Sequence, residues 1–195
     1  MSPVIDDQVP AEELDITSMQ LGIDALEFSL QTREQVCTMA YRLAAQAQRE
    51  LLLHTKDVEA GKAHVHFPVG LLHTEDVEAA IFDQQRFLDA VSTLVRTHQD
   101  AHVLILVDNS RKTLQHGHRL IELSRRLSSR IQFRRPPSQY RNYGKTFLLC
   151  DDTGYFYRPQ ASRYEGSANF NNPGRTAALK KYFMEVWEHS EADEE

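Results

Sequence analysis

Cysteine is nearly absent: Cys37 and Cys150 are the only two in 195 residues, they stand in unrelated apolar contexts, and neither has a partner at metal-ligand spacing. That excludes a disulfide-stapled scaffold and a zinc ribbon, and both read as buried thiols of a reducing compartment. Eight glycines and seven prolines are too few for a low-complexity or collagen-like chain. No apolar run approaches the roughly 18 residues that span a bilayer. The N-terminus is acidic where a secretory leader is basic and then apolar, so the expected location is the cytoplasm, away from membranes.

Basic residues are missing from particular places. The first thirty residues hold seven acids and no Lys or Arg, and the stretch from Glu185 onward adds six acids. The basic charge is gathered instead between Ser110 and Lys145, where ten Lys or Arg face one acid, Glu122. That segment carries +9 in a chain of net charge -6. The expected organisation is an acidic tail over residues 1–24, one domain over 25–189 and a second acidic tail over 190–195.

Four helices are marked by caps and apolar period. Thr32 and Gln35 form a capping box ahead of Val36, Ala40, Leu43 and Ala44, which predicts a helix over 33–48. Asp83 is placed to cap a second helix, with Phe82 and Phe87 as its hydrophobic staple and an end near His98. Leu120, Leu123 and Leu127 mark a third, with Arg125 outward. Asn172 followed by Pro173 opens a fourth, which buries Leu179, Phe183, Val186 and Trp187. Strands are predicted over 25–30, 51–55, 102–108, 131–134, 146–151 and 155–158, the last two as a hairpin. Helix and strand alternate, so the expected fold class is α/β, with a mixed, largely parallel sheet flanked by helices.

The phrase LLHTKDVEA at residues 52–60 returns as LLHTEDVEA at 71–79. Two copies are too few for a solenoid. One copy suffices for the strand position, and GKAHVHFPVG between them reads as an added hairpin or loop, because insertions at loops cost little closure entropy. His54, His64, His66 and His73 lack the Cys or acidic ligands that would make them a metal set, and no metal or cofactor is expected.

The last fifty residues carry Tyr143-Gly-Lys-Thr-Phe-Leu-Leu-Cys-Asp-Asp and then Glu165-Gly-Ser-Ala-Asn-Phe. This resembles the phospholipase D superfamily, whose repeat places His-x-Lys-x4-Asp on a strand and then Gly-Ser-x-Asn before a closing helix. Gly166, Ser167 and Asn169 match the second element. In the first, Gly144 stands in the histidine slot, Thr146 in the lysine slot and Asp151 in that of the aspartate. Sliding by one residue brings Tyr143, Lys145 and Cys150 into the three slots, again without a histidine. The link from Asp151 to Gly166 is longer than the family's usual one, and the chain carries one repeat of the two found in full-length members.

The resemblance implies a phospholipase D-like single repeat that has lost its nucleophile and pairs with itself in a homodimer. It is similar, too, to degenerate domains that occur beside acyltransferases in bacteria, which makes an acyltransferase a candidate partner. The expected function is a binding or accessory module for a phosphate-containing ligand or a protein partner. The candidate phosphate-binding residues are Arg111, Arg119, Arg134, Arg135, Arg141, Lys145, Ser167 and Asn169, since the arginine fork suits phosphate oxygens. A solvated basic face neutralised by the acidic tails is the competing reading of the same charge. Two further functions stand beside the binding module: a phosphodiesterase with a rearranged active site, and nucleic-acid binding without catalysis, which the overall acidity disfavours.

Overall fold

The computed structural model describes residues 9–10, 16–56, 80–108, 119–140 and 144–192. In chain order the regular elements are β1 (Val9–Pro10), β2 (Glu27–Leu30), α1 (Arg33–Ala44), β3 (Glu50–Thr55), α2 (Gln85–Thr97), β4 (His102–Val107), α3 (Arg119–Arg126), β5 (Ile131–Arg135), β6 (Thr146–Cys150), β7 (Gly154–Arg158), β8 (Gly166–Asn169), α4 (Pro173–Glu188) and β9 (Glu191–Ala192). Single turns of 3-10 helix lie at Ile16–Ser18 and Ser138–Tyr140. No helix among the described residues is long and apolar enough to cross a membrane.

The strands form one mixed sheet in the order β1-β2-β8-β7-β6-β3-β4-β5-β9. Parallel pairing is confined to the block β3-β4-β5 and to β1-β2. The expectation of a largely parallel sheet holds for that block, where each connection carries a helix. The other five pairings are antiparallel. Two of them, β6-β7 and β7-β8, join consecutive strands through short links, which reverse direction.

Two cores follow from the period of two along each strand. On one face Leu51, Leu53, Val103, Ile105, Leu148, Cys150 and Phe156 pack with α1, α2 and α3. On the other, Leu52, Leu106, Phe147, Leu149 and Tyr155 pack with Phe183, Val186 and Trp187 of α4. The continuous apolar run of β3 is explained by this double cover. Among the described residues, α1, α2 and α3 cover one face of the sheet and α4 the other.

Most local signals hold. Thr32 and Gln35 make the capping box, although α1 ends at Ala44 rather than 48, with residues 45–49 turning into β3. Asn172 caps α4 through its side chain, with Pro173 at the first turn. Phe82 and Phe87 meet edge to face at 5.3 Å. The cap itself differs: Gln84, not Asp83, is the N-cap of α2, without a side-chain bond, because Asp83 is taken by the Arg119 guanidinium at 3.1 Å.

The segments expected as acidic tails carry structure. Val9 and Pro10 pair with β2, Ile16, Met19 and Leu21 pack against the main core, and Glu191 and Ala192 pair with β5. The first LLHT occupies the centre of the sheet as residues 52–55 of β3. The second copy, the GKAHVHFPVG insertion and His64, His66 and His73 lie outside the described residues.

Candidate functional site

The strand that should carry the phospholipase D chemistry is β6. Gly144, in the histidine slot, has φ +62°, a left-handed conformation that disfavours any β-substituted residue. Its carbonyl accepts from the Ala161 N–H at 2.9 Å. Thr146, in the lysine slot, is fully buried. Asp151 has φ +53° and turns its carboxylate back on the start of β3. There it accepts from the N–H groups of Gln48 (3.2 Å), Arg49 (2.9 Å) and Glu50 (3.1 Å). The aspartate slot is filled, and its carboxylate serves the backbone.

The alternative register offers no better set. Lys145 is half-buried, Cys150 is fully buried, and Tyr143 lies outside the described residues. Burial, with the negative charges of Asp151 and Glu50 nearby, holds the Cys150 thiol well above its ordinary pKa. It is protonated and inert as a nucleophile.

The second motif element is β8, and its glycine is demanded by packing. A Cβ on Gly166 would lie 2.5 Å from the Tyr157 carbonyl oxygen and 2.8 Å from Cγ of Arg158. Arg158 is itself fully buried and donates from Nε to the Arg163 carbonyl at 2.7 Å, with a second bond to that of Ala161. The long link from Asp151 to Gly166 is therefore strand β7 plus a loop wrapped on a buried guanidinium.

Asn169 donates to the Ala25 carbonyl and to Glu27, and its own Oδ1 accepts from the Asn171 N–H. Ser167 and the Tyr155 hydroxyl are hydrogen-bonded, and the latter also donates to Glu27. Burial, then the Glu27 bond, push the Tyr155 phenol far above its ordinary pKa. The guanidinium of Arg175, an exposed residue of α4, lies about 5 Å over both the Tyr155 and Tyr157 rings. This polar cluster of Glu27, Tyr155, Tyr157, Ser167, Asn169 and Arg175 is on the α4 side of the sheet. Sequence reasoning missed Glu27, Tyr155 and Arg175, whose only signal was the arginine just after an Asn-Pro helix start.

A histidine does lie beside β6, on the neighbouring strand. His54 of β3 is the cross-strand partner of Phe147 and stacks on its ring at 5.3 Å. Its Nδ1 is 3.3 Å from the Lys145 carbonyl oxygen, and its Nε2 is 3.6 Å from Asp108 Oδ1 at the carboxyl end of β4. The residue is completely buried. Burial pushes the imidazole down to about 4, against the Lys145 hydrogen bond, so it is neutral at pH 7. The carboxyl ends of parallel strands are where open α/β sheets place ligands, which is the signal that links His54 to Asp108.

Among the described candidate phosphate-binding residues, Arg134 and Arg135 on β5 lie far from Ser167 and Asn169 on β8. Arg119 is tied to Asp83 and Gln85. Arg134 lies 4.5 Å over the Trp187 ring and donates to the Trp187 carbonyl at 2.9 Å. Arg135 ends β5 beside β9. Arg111 and Arg141 lie outside the described residues. Four strands separate β5 from β8, so Arg134 and Arg135 are about 24 Å from Ser167 and Asn169 at the usual strand spacing. Among the described residues no three His, Cys, Asp or Glu side chains are grouped to hold a metal ion.

Comparison with known proteins follows this geometry. A family model described as a domain of unknown function, DUF7931, matches residues 71–195. No curated protein matches the sequence. Among solved structures, TrmBL2, an archaeal chromatin protein with a novel mode of DNA binding, is 14% identical, with a TM-score of 0.58 over 90% of this chain. The chain spans only 56% of the TrmBL2 chain. Nuc from Salmonella typhimurium, a phospholipase D family member, is 9% identical, with a TM-score of 0.51 over 81% of this chain and 90% of Nuc. NucT from Helicobacter pylori is 11% identical, with a TM-score of 0.50 over 85% of this chain and 96% of NucT. At these identities the likeness shows the fold, which is phospholipase D-like.

Proposed function

The chain belongs to the DUF7931 family, and we propose that this member is a catalytically degenerate phospholipase D-like domain, a binding or accessory module for a phosphate-containing ligand or a protein partner. The observation that carries the reading is Asp151: the residue in the aspartate slot, directly after β6, holds the backbone of residues 48–50. Gly144 has no side chain, and the Thr146 hydroxyl beside it is fully buried. The polar cluster on β8 supplies the ligand-binding side of the proposal. Ser167 and Arg175 both contact Tyr155, and an exposed guanidinium beside a hydroxyl suits a phosphate group. Self-association is part of the reading, since a single repeat of a two-repeat fold leaves one face for a second copy.

A second reading is a phosphodiesterase with a rearranged site, favoured by His54 beside β6 with the Asp108 carboxylate 3.6 Å away. Its complete burial argues against it, because a nucleophile must reach phosphorus. A third, nucleic-acid binding without catalysis, draws on the basic segment and on the fold likeness to TrmBL2, an archaeal chromatin protein that binds DNA.

A hydrolysis assay separates the first two readings. With bis-p-nitrophenyl phosphate the expected result is no turnover above background. Turnover that is lost in His54→Gln, or in Lys145→Ala with Ser167→Ala, refutes the degenerate reading. Thermal shifts with nucleotides, phospholipid head groups and single-stranded DNA then identify the ligand class. A ligand of this module raises Tm, and Arg175→Ala removes the rise.

A further inference from the structure

The amino ends of β3 and β4 lie side by side. Glu50 is the register partner of His102, and the His102 N–H donates to the Arg49 carbonyl at 3.1 Å. An open cleft of about 560 Å³ lies over this junction, within the size range of small-molecule sites, roughly 300–1,000 Å³. It is at the opposite end of these strands from His54 and Asp108, and no residue of β8 lines it. Within it the Glu50 side chain is only 11% exposed. It accepts from the Lys180 ammonium, and His102 Nε2 is 3.6 Å away. A carboxylate withdrawn this far from water requires a fixed cation. The Glu50 and Lys180 pair is therefore part of the fold, and the other groups of the cleft are the ones a ligand can address.

Those groups form two unlike walls. On one, Asp152 accepts from Arg49 at 3.0 Å and from Lys180 at 2.8 Å. The Arg49 and Asp152 side chains are 68% and 55% exposed, and an ion pair so open to water contributes little, so another anion can replace Asp152 there. Arg49 commits one N–H to that pair and keeps the rest of its fork for a ligand. The other wall is the connection from α2 to β4, with Thr97, Gln99 and Asp100. Asp100 is exposed, and among the described residues its carboxylate has no hydrogen-bond or ion-pair partner. Three carboxylates thus line the cleft against two fixed cations, a balance that disfavours a lone anion. A lone cation would satisfy Asp100 and leave the Arg49 donors unused. A molecule with both charges satisfies both walls.

We infer that this cleft binds a small zwitterion, a molecule carrying an amine and a carboxylate on one short body. The carboxylate takes the place of Asp152 on Arg49, with Lys180 beside it, and the amine is held by Asp100. Charge-assisted bonds at both ends supply the affinity. The body is short and polar because Ala101 is the one apolar residue among those lining the cleft. The inference goes beyond the binding-module reading and uses none of the residues of the Ser167 and Arg175 cluster.

The test is calorimetric titration of the full chain. Glycine, β-alanine and γ-aminobutyrate are zwitterions of increasing length, and propylamine and propionate keep one end each. The expected result is that at least one zwitterion binds at millimolar concentration or below, and that each single-ended probe is weaker by at least about tenfold. Asp100→Asn and Arg49→Gln should each weaken that binding at least about tenfold. Asp152→Asn removes the competing carboxylate and should strengthen it. Lys181→Gln, an exposed neighbour outside the cleft, should leave it unchanged. Arg49, Asp100 and Asp152 are all exposed, so the variants should fold, and opposite effects of the two Asp→Asn changes cannot come from loss of structure. Absence of binding by all three zwitterions, equal binding of propylamine or propionate, or weaker binding in Asp152→Asn overturns the inference. The hydrolysis assay and the Arg175→Ala result involve none of these residues, so the two readings fail separately.

Discussion

Replacing Asp151 decides whether the surviving motif aspartate is structural. Its carboxylate accepts three backbone N–H groups that open β3, at 2.9–3.2 Å, and its φ of +53° is one that a β-substituted residue other than Asn or Asp adopts only at a cost. A hydrogen bond to a charged group contributes about 1.5–3 kcal/mol when desolvated. Asp151 is half-exposed, and water can replace part of the loss, so about 1 kcal/mol for each donor is the better figure. Asp151→Gly removes the acceptors and relieves the backbone, for a loss of about 2–3 kcal/mol. Asp151→Ala removes the same acceptors and keeps a Cβ at positive φ, which adds about 1 kcal/mol. Asp151→Asn keeps one acceptor and tolerates the conformation, and should lose about 1–2 kcal/mol. The order of stability is therefore native, Asn, Gly, Ala. Urea melts give it directly, and in a domain of this size the alanine variant should melt about 6–16 °C lower. Unchanged midpoints, or alanine no worse than glycine, would refute the capping role and return Asp151 to the list of groups available for chemistry.

Three shorter predictions accompany it. His54 titrates at about 4 when folded against 6.5 as a reference, so between those values the unfolded chain binds the extra proton. Its contribution is intact above pH 6.5 and is lost progressively as pH falls towards 4, by up to about 3 kcal/mol. His54→Gln should lack that part of the decline in melts from pH 7 to 4, and superimposable pH profiles would contradict the assignment. Gly166→Ala sets a methyl 2.5 Å from the Tyr157 carbonyl oxygen, and should cost about 1–3 kcal/mol by overpacking, read as a lower urea midpoint with an unchanged slope. Deleting residues 52–70 places the second LLHT directly after Leu51, where it can fill β3. Cooperative unfolding should survive, and aggregation on expression would show that the two copies are not interchangeable.

Local chemistry made much of the fold legible. The capping box at Thr32, the Asn172-Pro173 start and the apolar run expected over 102–108 each depend on neighbouring residues, and each forms, the strand ending one residue early at Val107. β8 was recognised as a motif and not as a strand, because Gly-Ser-Ala-Asn has neither alternation nor β-branched residues. It is a strand because β2 and β7 flank it on both sides. β1 and β9 are two residues each, below any periodic signal. Asp83 illustrates the remaining kind of error: its spacing suits a cap, but Arg119, 36 residues away in sequence, reaches it in the fold.

The candidate site was less legible than the fold for the same reason, carried further. Ten basic residues between 110 and 145 look like one patch when written in a line, and the described ones disperse because that segment contains a helix and a strand that turn its side chains in different directions. Arg134 is taken by Trp187 and Arg119 by Asp83. The residues that do assemble come from far apart: Glu27, Tyr155, Ser167 and Arg175 meet only because β2 inserts beside β8. The repeated phrase shows the same dependence on distant partners. Both copies offer Leu-Leu-His-Thr, but only the first follows Arg49 and Glu50, whose N–H groups Asp151 holds and whose Glu50 carboxylate is bound by Lys180 of α4. These two anchors, from residues about a hundred or more positions later, set the first copy in the centre of the sheet. The Asp151 carboxylate is thus one of the groups that fix the register of β3, and stability alone accounts for an aspartate at this position.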